Sequence, residues 1–231
     1  MSRLYLIRHG QASFEAEDYD QLSSLGQRQS LLLGKHFGEI SGNKKFLIIS
    51  GEMQRHRQTT DALVAGLGGQ QRIMFDRGWN EVDHVSILEA YKPDLKNFSE
   101  IRAWVMEQPK PNLVFQKLFA ASISRWASGV HNEDYAETRM AFLARIRAAL
   151  IRTLQSASGK EDIFVVTSCM PIIAAVKTIL GVEESGCRDL ESVLVNASFS
   201  TLLYQDDNLK LLGFNNYSYL EGEDGSLVTL R

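Results

Sequence analysis

At 231 residues, 44% of them hydrophobic and 23% charged, the chain has the composition of a globular protein able to bury one sizeable core. A formal net charge of -3 excludes the strong basic excess that nucleic-acid binding requires, and two cysteines far from any CxxC pattern, Cys169 and Cys187, exclude a disulfide framework. No apolar run approaches the roughly 18 residues of a membrane helix. A strand beginning directly after Met1-Ser2-Arg3 leaves no room for a cleaved leader. The expectation is a cytoplasmic protein with neither nucleic-acid nor membrane partners.

In chain order, residues 4–7 (LYLI) read as a buried strand that ends abruptly in Arg8-His9-Gly10. Residues 24–40 carry helical periodicity, with Leu25, Leu32, Leu33 and Phe37 on or near one face. A short strand at 46–49, a helix at 54–67 and a third strand at 72–75 follow. Between 85 and 158 no strand is predicted. "DLKNFSEIRAWVMEQ", "LVFQKLFAASISRWASG" and "DYAETRMAFLARIRAALIRTLQSA" are helical in pattern, with Pro109 and Pro111 breaking the first from the second. A core strand returns at 162–167 (DIFVVT), and Pro171 opens another helix where its missing N–H costs nothing. "FSTLLYQ" and "LKLLGFN" flank Asp206-Asp207-Asn208 as a hairpin.

Strands alternating with helices predict an α/β fold. It has three layers, a mostly parallel sheet flanked by helices, with an antiparallel edge strand near the C-terminus. No repeat or linker divides the chain. The reading is a single domain, 1–231, with a helical cap insertion at about 85–135 and one long core helix after it.

Ligands of such sheets bind beyond the carboxyl ends of the strands. Those ends carry Arg8-His9-Gly10, then Arg55 within "SGEMQRHRQTTDAL", then Glu81, Asp83 and His84 within "DRGWNEVDH", then Ser168 within "TSCMPI". Guanidinium forks and helix N-termini suit a phosphate. A carboxyl group among them repels that anion unless it holds a proton, which makes Glu81 a candidate general acid.

These residues resemble the histidine phosphatase superfamily, the phosphoglycerate-mutase-like group. Arg8-His9-Gly10 matches its first motif, Arg55 and Thr59 match an Arg followed four residues on by Thr, and "LSSLG" at 22–26 is similar to the segment leading into the first helix. Glu81 falls where the family often places its acid. The match runs in order through nearly the whole chain.

The resemblance implies that His9 attacks phosphorus and becomes a phosphohistidine, that Arg8 and Arg55 hold the non-bridging oxygens, and that Glu81 protonates the leaving oxygen. It implies no cofactor and no metal, since the arginines take the place of magnesium. The partner is then a small phosphorylated substrate, and the activity that of a phosphomonoester phosphatase. A catalytically weak phosphate-binding protein and a phosphoglycerate mutase are the competing functions.

The chain departs from the family at one place. Where a segment like "VTHGGPI" brings a second histidine, this chain has "VTSCMPI", so Ser168 offers a neutral hydrogen bond without a charge. His84 is the candidate replacement, with an ordinary loop residue as the rival reading. His36, His56 and His131 read as structural or solvated, His56 because a helix turns it about 100° from Arg55. Cys169 lacks the Cys-x5-Arg loop of a cysteine phosphatase and reads as inert. "GLGG" at 66–69 reads as a helix stop, and Trp79, Trp104 and Trp126 as packing residues.

Overall fold

The computed structural model describes residues 2–13, 20–42, 44–156, 162–181, 184–205, 208–222 and 225–230, the side chains of 184–188 excepted. Asp206 and Asp207 of the expected hairpin turn, and the Cys187 side chain, lie outside the described residues.

Among those residues six strands form one sheet: β1 (Ser2–Arg8), β2 (Phe46–Ser50), β3 (Arg72–Phe75), β4 (Asp162–Thr167), β5 (Phe199–Gln205) and β6 (Asn208–Asn216). Their order across the sheet is β3-β2-β4-β1-β5-β6. β1 runs parallel to β4, and β2 runs parallel to both β3 and β4; β5 is antiparallel to β1 and to β6. Every residue of β2 and β4 is buried, as their unbroken apolar runs require of strands covered on both faces. β3, at the edge, is exposed throughout.

The helices are α1 (Ser24–Ser41), α2 (Gln54–Leu67), α3 (His84–Tyr91), α4 (Phe98–Met106), α5 (Pro111–Ser128), α6 (Arg139–Ser156), α7 (Cys169–Leu180) and α8 (Glu184–Val193). The chain divides into two compact units, the first Met1–Glu81 with Ile146–Arg231, the second Val82–Arg145.

In the first unit an aromatic cluster covers one face of the sheet. Phe46 stacks on Phe164 at 4.2 Å between centroids, Phe37 lies 4.6 Å from Phe164, and Tyr5 meets Phe37 edge-on at 5.0 Å. Trp79 is fully buried and its indole N–H donates to Thr153 Oγ1 at 3.0 Å. His36 stacks on Tyr219 at 5.3 Å, a packing role. Gly68 ends α2, its N–H returning to the Val64 carbonyl.

The second unit holds α3, α4, α5 and the start of α6 around Leu88, Ile101, Val105 and Leu118, with Trp104, Phe115 and Phe119 packed against them. Trp126 is buried in it and donates to the Glu137 carbonyl at 2.8 Å. Asp83 caps α3, its Oδ1 accepting from the Val85 and Ser86 amides at 3.1 Å.

Four elements differ from expectation. α3 and α8 are additional helices. α6 starts at Arg139 rather than near 134, because Thr138 Oγ1 accepts from the Ala141 amide and fixes the first turn there. Pro171 is the third residue of α7 rather than its first, still within the turn whose amides have no intrahelical acceptor. No helix among the described residues is long and apolar enough to cross a membrane.

Candidate active site

The paired registers Arg8↔Thr167 and Ser50↔Val166 put the carboxyl ends of β1, β4 and β2 side by side. The residues just past those ends, His9, Ser168 and Gly51, therefore share one rim. His9 is fixed there through its backbone. Its N–H donates to the Thr167 carbonyl at 2.9 Å, and its carbonyl accepts from the Ala197 amide at 3.1 Å and from Asn196 Nδ2 at 3.4 Å.

Gly10 is required by close approach. A Cβ there would lie 2.3 Å from the Gly26 carbonyl oxygen, at the start of α1. The glycines of "RHG" and "LSSLG" thus meet each other. The threonine of the second motif is explained in the same way. Thr59 Oγ1 donates to the Arg55 carbonyl at 2.7 Å and accepts from the Gly10 amide at 3.1 Å, tying α2 to the loop after β1.

The His9 ring is buried, and its Nδ1 lies 2.7 Å from the Gly10 carbonyl oxygen. A carbonyl only accepts, so Nδ1 carries the proton and Nε2 keeps its lone pair. Burial first, then the charge of Arg55, then His56 and Arg8, hold this imidazole well below its ordinary titration range, against the smaller opposing effect of the Gly10 bond.

Arg55 is buried in the first turn of α2. Its Nη1 donates to Asp20 Oδ1 at 2.7 Å, and its buried Nε has no hydrogen-bond partner among the described residues. Asp20 Oδ2 also accepts from the Gln54 amide at 2.8 Å, capping the helix that carries Arg55. Arg8 is anchored by Nη1, which donates to the carbonyls of Leu194 and Leu230.

Glu81 follows the buried Trp79, whose carbonyl accepts from Thr167 Oγ1 and is thereby pinned to the end of β4. Glu81 Oε2 accepts from the Met170 amide at 3.2 Å, the bond a capping side chain would make to α7. Ser168 occupies the N-cap position of α7 but makes no capping bond. Its Oγ lies instead 2.7 Å from His56 Nε2. Burial pushes the Cys169 thiol up to about 12, which leaves it unreactive at neutral pH.

His56 is the residue that sequence reasoning missed. It is fully buried, and its ring centroid is 5.7 Å from that of His9. The direction of Arg55 is a poor guide to it, because both residues of this first turn are enclosed. The legible signal is the stripe His56, Thr59, Thr60, Leu63, spaced i, i+3, i+4, i+7, which is the buried face of α2. His84, expected on this rim, belongs to the second unit, where its ring meets Phe119 edge-on at 5.1 Å.

Among the described residues no group of three or more His, Cys, Asp or Glu is arranged to hold a metal ion.

No curated protein sequence matches the chain. Among solved structures, a mycobacterial glucosyl-3-phosphoglycerate phosphatase complexed with VO3 is similar with a TM-score of 0.62 at 20% identity, over 94% of this chain and 100% of that one. Phosphoglycerate mutase from Bacillus anthracis str. Sterne gives 0.62 at 16% identity, over 94% of each chain. Phosphoserine phosphatase from Entamoeba histolytica, in complex with 3-phosphoglyceric acid, gives 0.60 at 16%, over 95% of this chain and 100% of that one. Identities this low establish a shared fold. The family model for the histidine phosphatase superfamily (branch 1) matches residues 4–113 and 93–217, and with its two motifs knotted together at Gly10 and Thr59 the chain belongs to that superfamily.

Proposed function

We propose that the protein is a phosphomonoester phosphatase that acts on a small phosphorylated metabolite through a phosphohistidine at His9. The observation that carries this reading is the His9 ring itself: neutral, with Nδ1 committed to Gly10 and Nε2 left with its lone pair, beside two arginines. Such a ring needs no separate base to become a nucleophile.

Nε2 attacks phosphorus and the bond from phosphorus to the leaving oxygen breaks. Arg8 and Arg55 balance the charge on the non-bridging oxygens, with donors already oriented before the substrate arrives. Glu81 gives its proton to the leaving oxygen. It then takes a proton from the water that attacks the phosphohistidine, which breaks the N–P bond, releases phosphate and restores both groups. The family match and the phosphatases among the structural neighbours support this reading.

The test is turnover of p-nitrophenyl phosphate and a panel of sugar, amino-acid and glycerate phosphates, with acid-quenched protein mapped for phosphohistidine. The parent should turn over and label at His9, and His9→Ala should do neither while keeping its circular-dichroism spectrum. Labelling followed by transfer to a phosphoglycerate rather than water would replace the phosphatase with a mutase. Phosphate binding without turnover would replace it with a binding protein.

A further inference from the structure

We propose that the His56–Ser168 pair is a second phosphoryl-oxygen donor of this site: Ser168 makes the bond, and His56 behind it takes up a proton when the anion arrives.

Three features of the structure place His56 in this role. Its Nε2 is 2.7 Å from Ser168 Oγ, and its Nδ1 is buried with no hydrogen-bond partner among the described residues. A buried N–H without an acceptor is rarer and more costly than a lone pair without a donor. The neutral ring is therefore the tautomer in which Nε2–H donates to Ser168 Oγ. That leaves the hydroxyl hydrogen of Ser168 to be given elsewhere. Ser168 has also given up capping α7, a bond that a serine at this position ordinarily makes.

The third feature is that Gly51, one residue past β2, makes room for the ring. A Cβ there would stand 2.2 Å from His56 Nδ1. The chain thus accommodates a fully buried imidazole whose centroid is 5.7 Å from that of His9.

The charged and titratable groups that the described contacts place around the pair are Arg55 on the same helix with Asp20 paired to it, Arg8 and His9 at the end of β1, Cys169 at the start of α7, and Glu81 bonded to α7. Burial and then Arg55 hold the His56 ring well below its ordinary titration range. A bound dianion reverses that balance, because it offsets both guanidiniums and leaves negative charge next to Ser168. Protonation at Nδ1, where the attraction of the dianion has to outweigh the cost of a buried N–H without an acceptor, then converts Ser168 into a charge-assisted donor without moving either side chain.

The inference rests on reading the rim as a phosphoryl site but not on turnover, so it is tested by binding. Sulfate is the probe, a tetrahedral dianion that does not titrate near neutrality. Calorimetry in buffers of different ionisation enthalpy counts the protons taken up. His9→Gln combined with Glu81→Gln is the background, so that neither the nucleophile nor the carboxyl group of this site titrates or reacts. There sulfate binding near neutral pH should take up a substantial fraction of one proton, rising toward about one as the pH falls. Adding His56→Gln should abolish the uptake, and adding Ser168→Ala should weaken sulfate binding and reduce it.

Sulfate binding with no proton uptake, or uptake that survives His56→Gln, overturns the inference. Failure of sulfate to bind the parent overturns the phosphoryl-site reading and this inference with it. Proton-linked binding in a parent that has no phosphatase activity overturns only the proposed function.

Discussion

In the folded chain His9 and His56 are both held neutral, His9 by burial and then Arg55, His56 and Arg8, and His56 by burial and then Arg55. In the unfolded chain each titrates near the ordinary value of 6.5. Below that value the unfolded state binds protons that the folded state refuses, so stability is full above it and falls as the pH drops toward the lower folded-state values. Each ring contributes a slope of at most about 1.4 kcal/mol per pH unit in that window. Urea midpoints should therefore fall from about pH 7 to about pH 5, and the fall should be shallower in His56→Gln and shallower still with His9→Gln added. A slope unchanged by both replacements would mean that the acid sensitivity lies in other groups.

At the scale of elements, the first turn of α2 and the start of α7 share one enclosed space. His56 is 0% and Ser168 1% exposed, and the Ser168 hydroxyl already lies 2.7 Å from the imidazole, so a larger side chain there runs into the ring. Ser168→His in the parent should overpack that space and cost about 1–3 kcal/mol of stability. His56→Ala should relieve it, so the double variant should be more stable and more active than Ser168→His alone. Thermal denaturation and turnover of the four-membered set measure this, and additive effects would show that the two positions do not share the space. The same elements show what the sequence made legible. The bounds of α2, β3, β4 and β5 follow from periodicity and turn residues, and His9 and Arg55 from their places at strand ends. His56 is hidden by its angle of about 100° from Arg55, which reads as pointing out of the site until its buried stripe with Thr59, Thr60 and Leu63 is counted. α3 escaped notice because its eight residues are too few to establish a period. α8, with only Cys187, Leu190 and Val193 as large apolar or thiol-bearing positions, has too little apolar content to show one.

For the whole molecule the decisive feature is the position of β1 in the strand order. It lies between β4 and β5, with Leu4 opposite Ile163 on one side and Leu202 on the other. β2, the strand that follows it in sequence, is separated from it by β4. A fragment ending at residue 161 therefore contains β1, β2 and β3 without the strand that joins β1 to the others. It should show no cooperative urea transition, whereas the full chain should show one; a cooperative transition in the fragment would mean that the first strands find a stable arrangement of their own. Arg8 depends on the distant chain too, since its anchors are the carbonyls of Leu194 and Leu230. During synthesis, then, His9 emerges well before the β4, β5 and later segments that hold it. Until β5 has left the ribosome, Leu4, Leu6 and Ile7 stand on a strand with an open edge, the kind of segment that recruits other chains. That exposure lasts from the synthesis of β1 until the synthesis of β5.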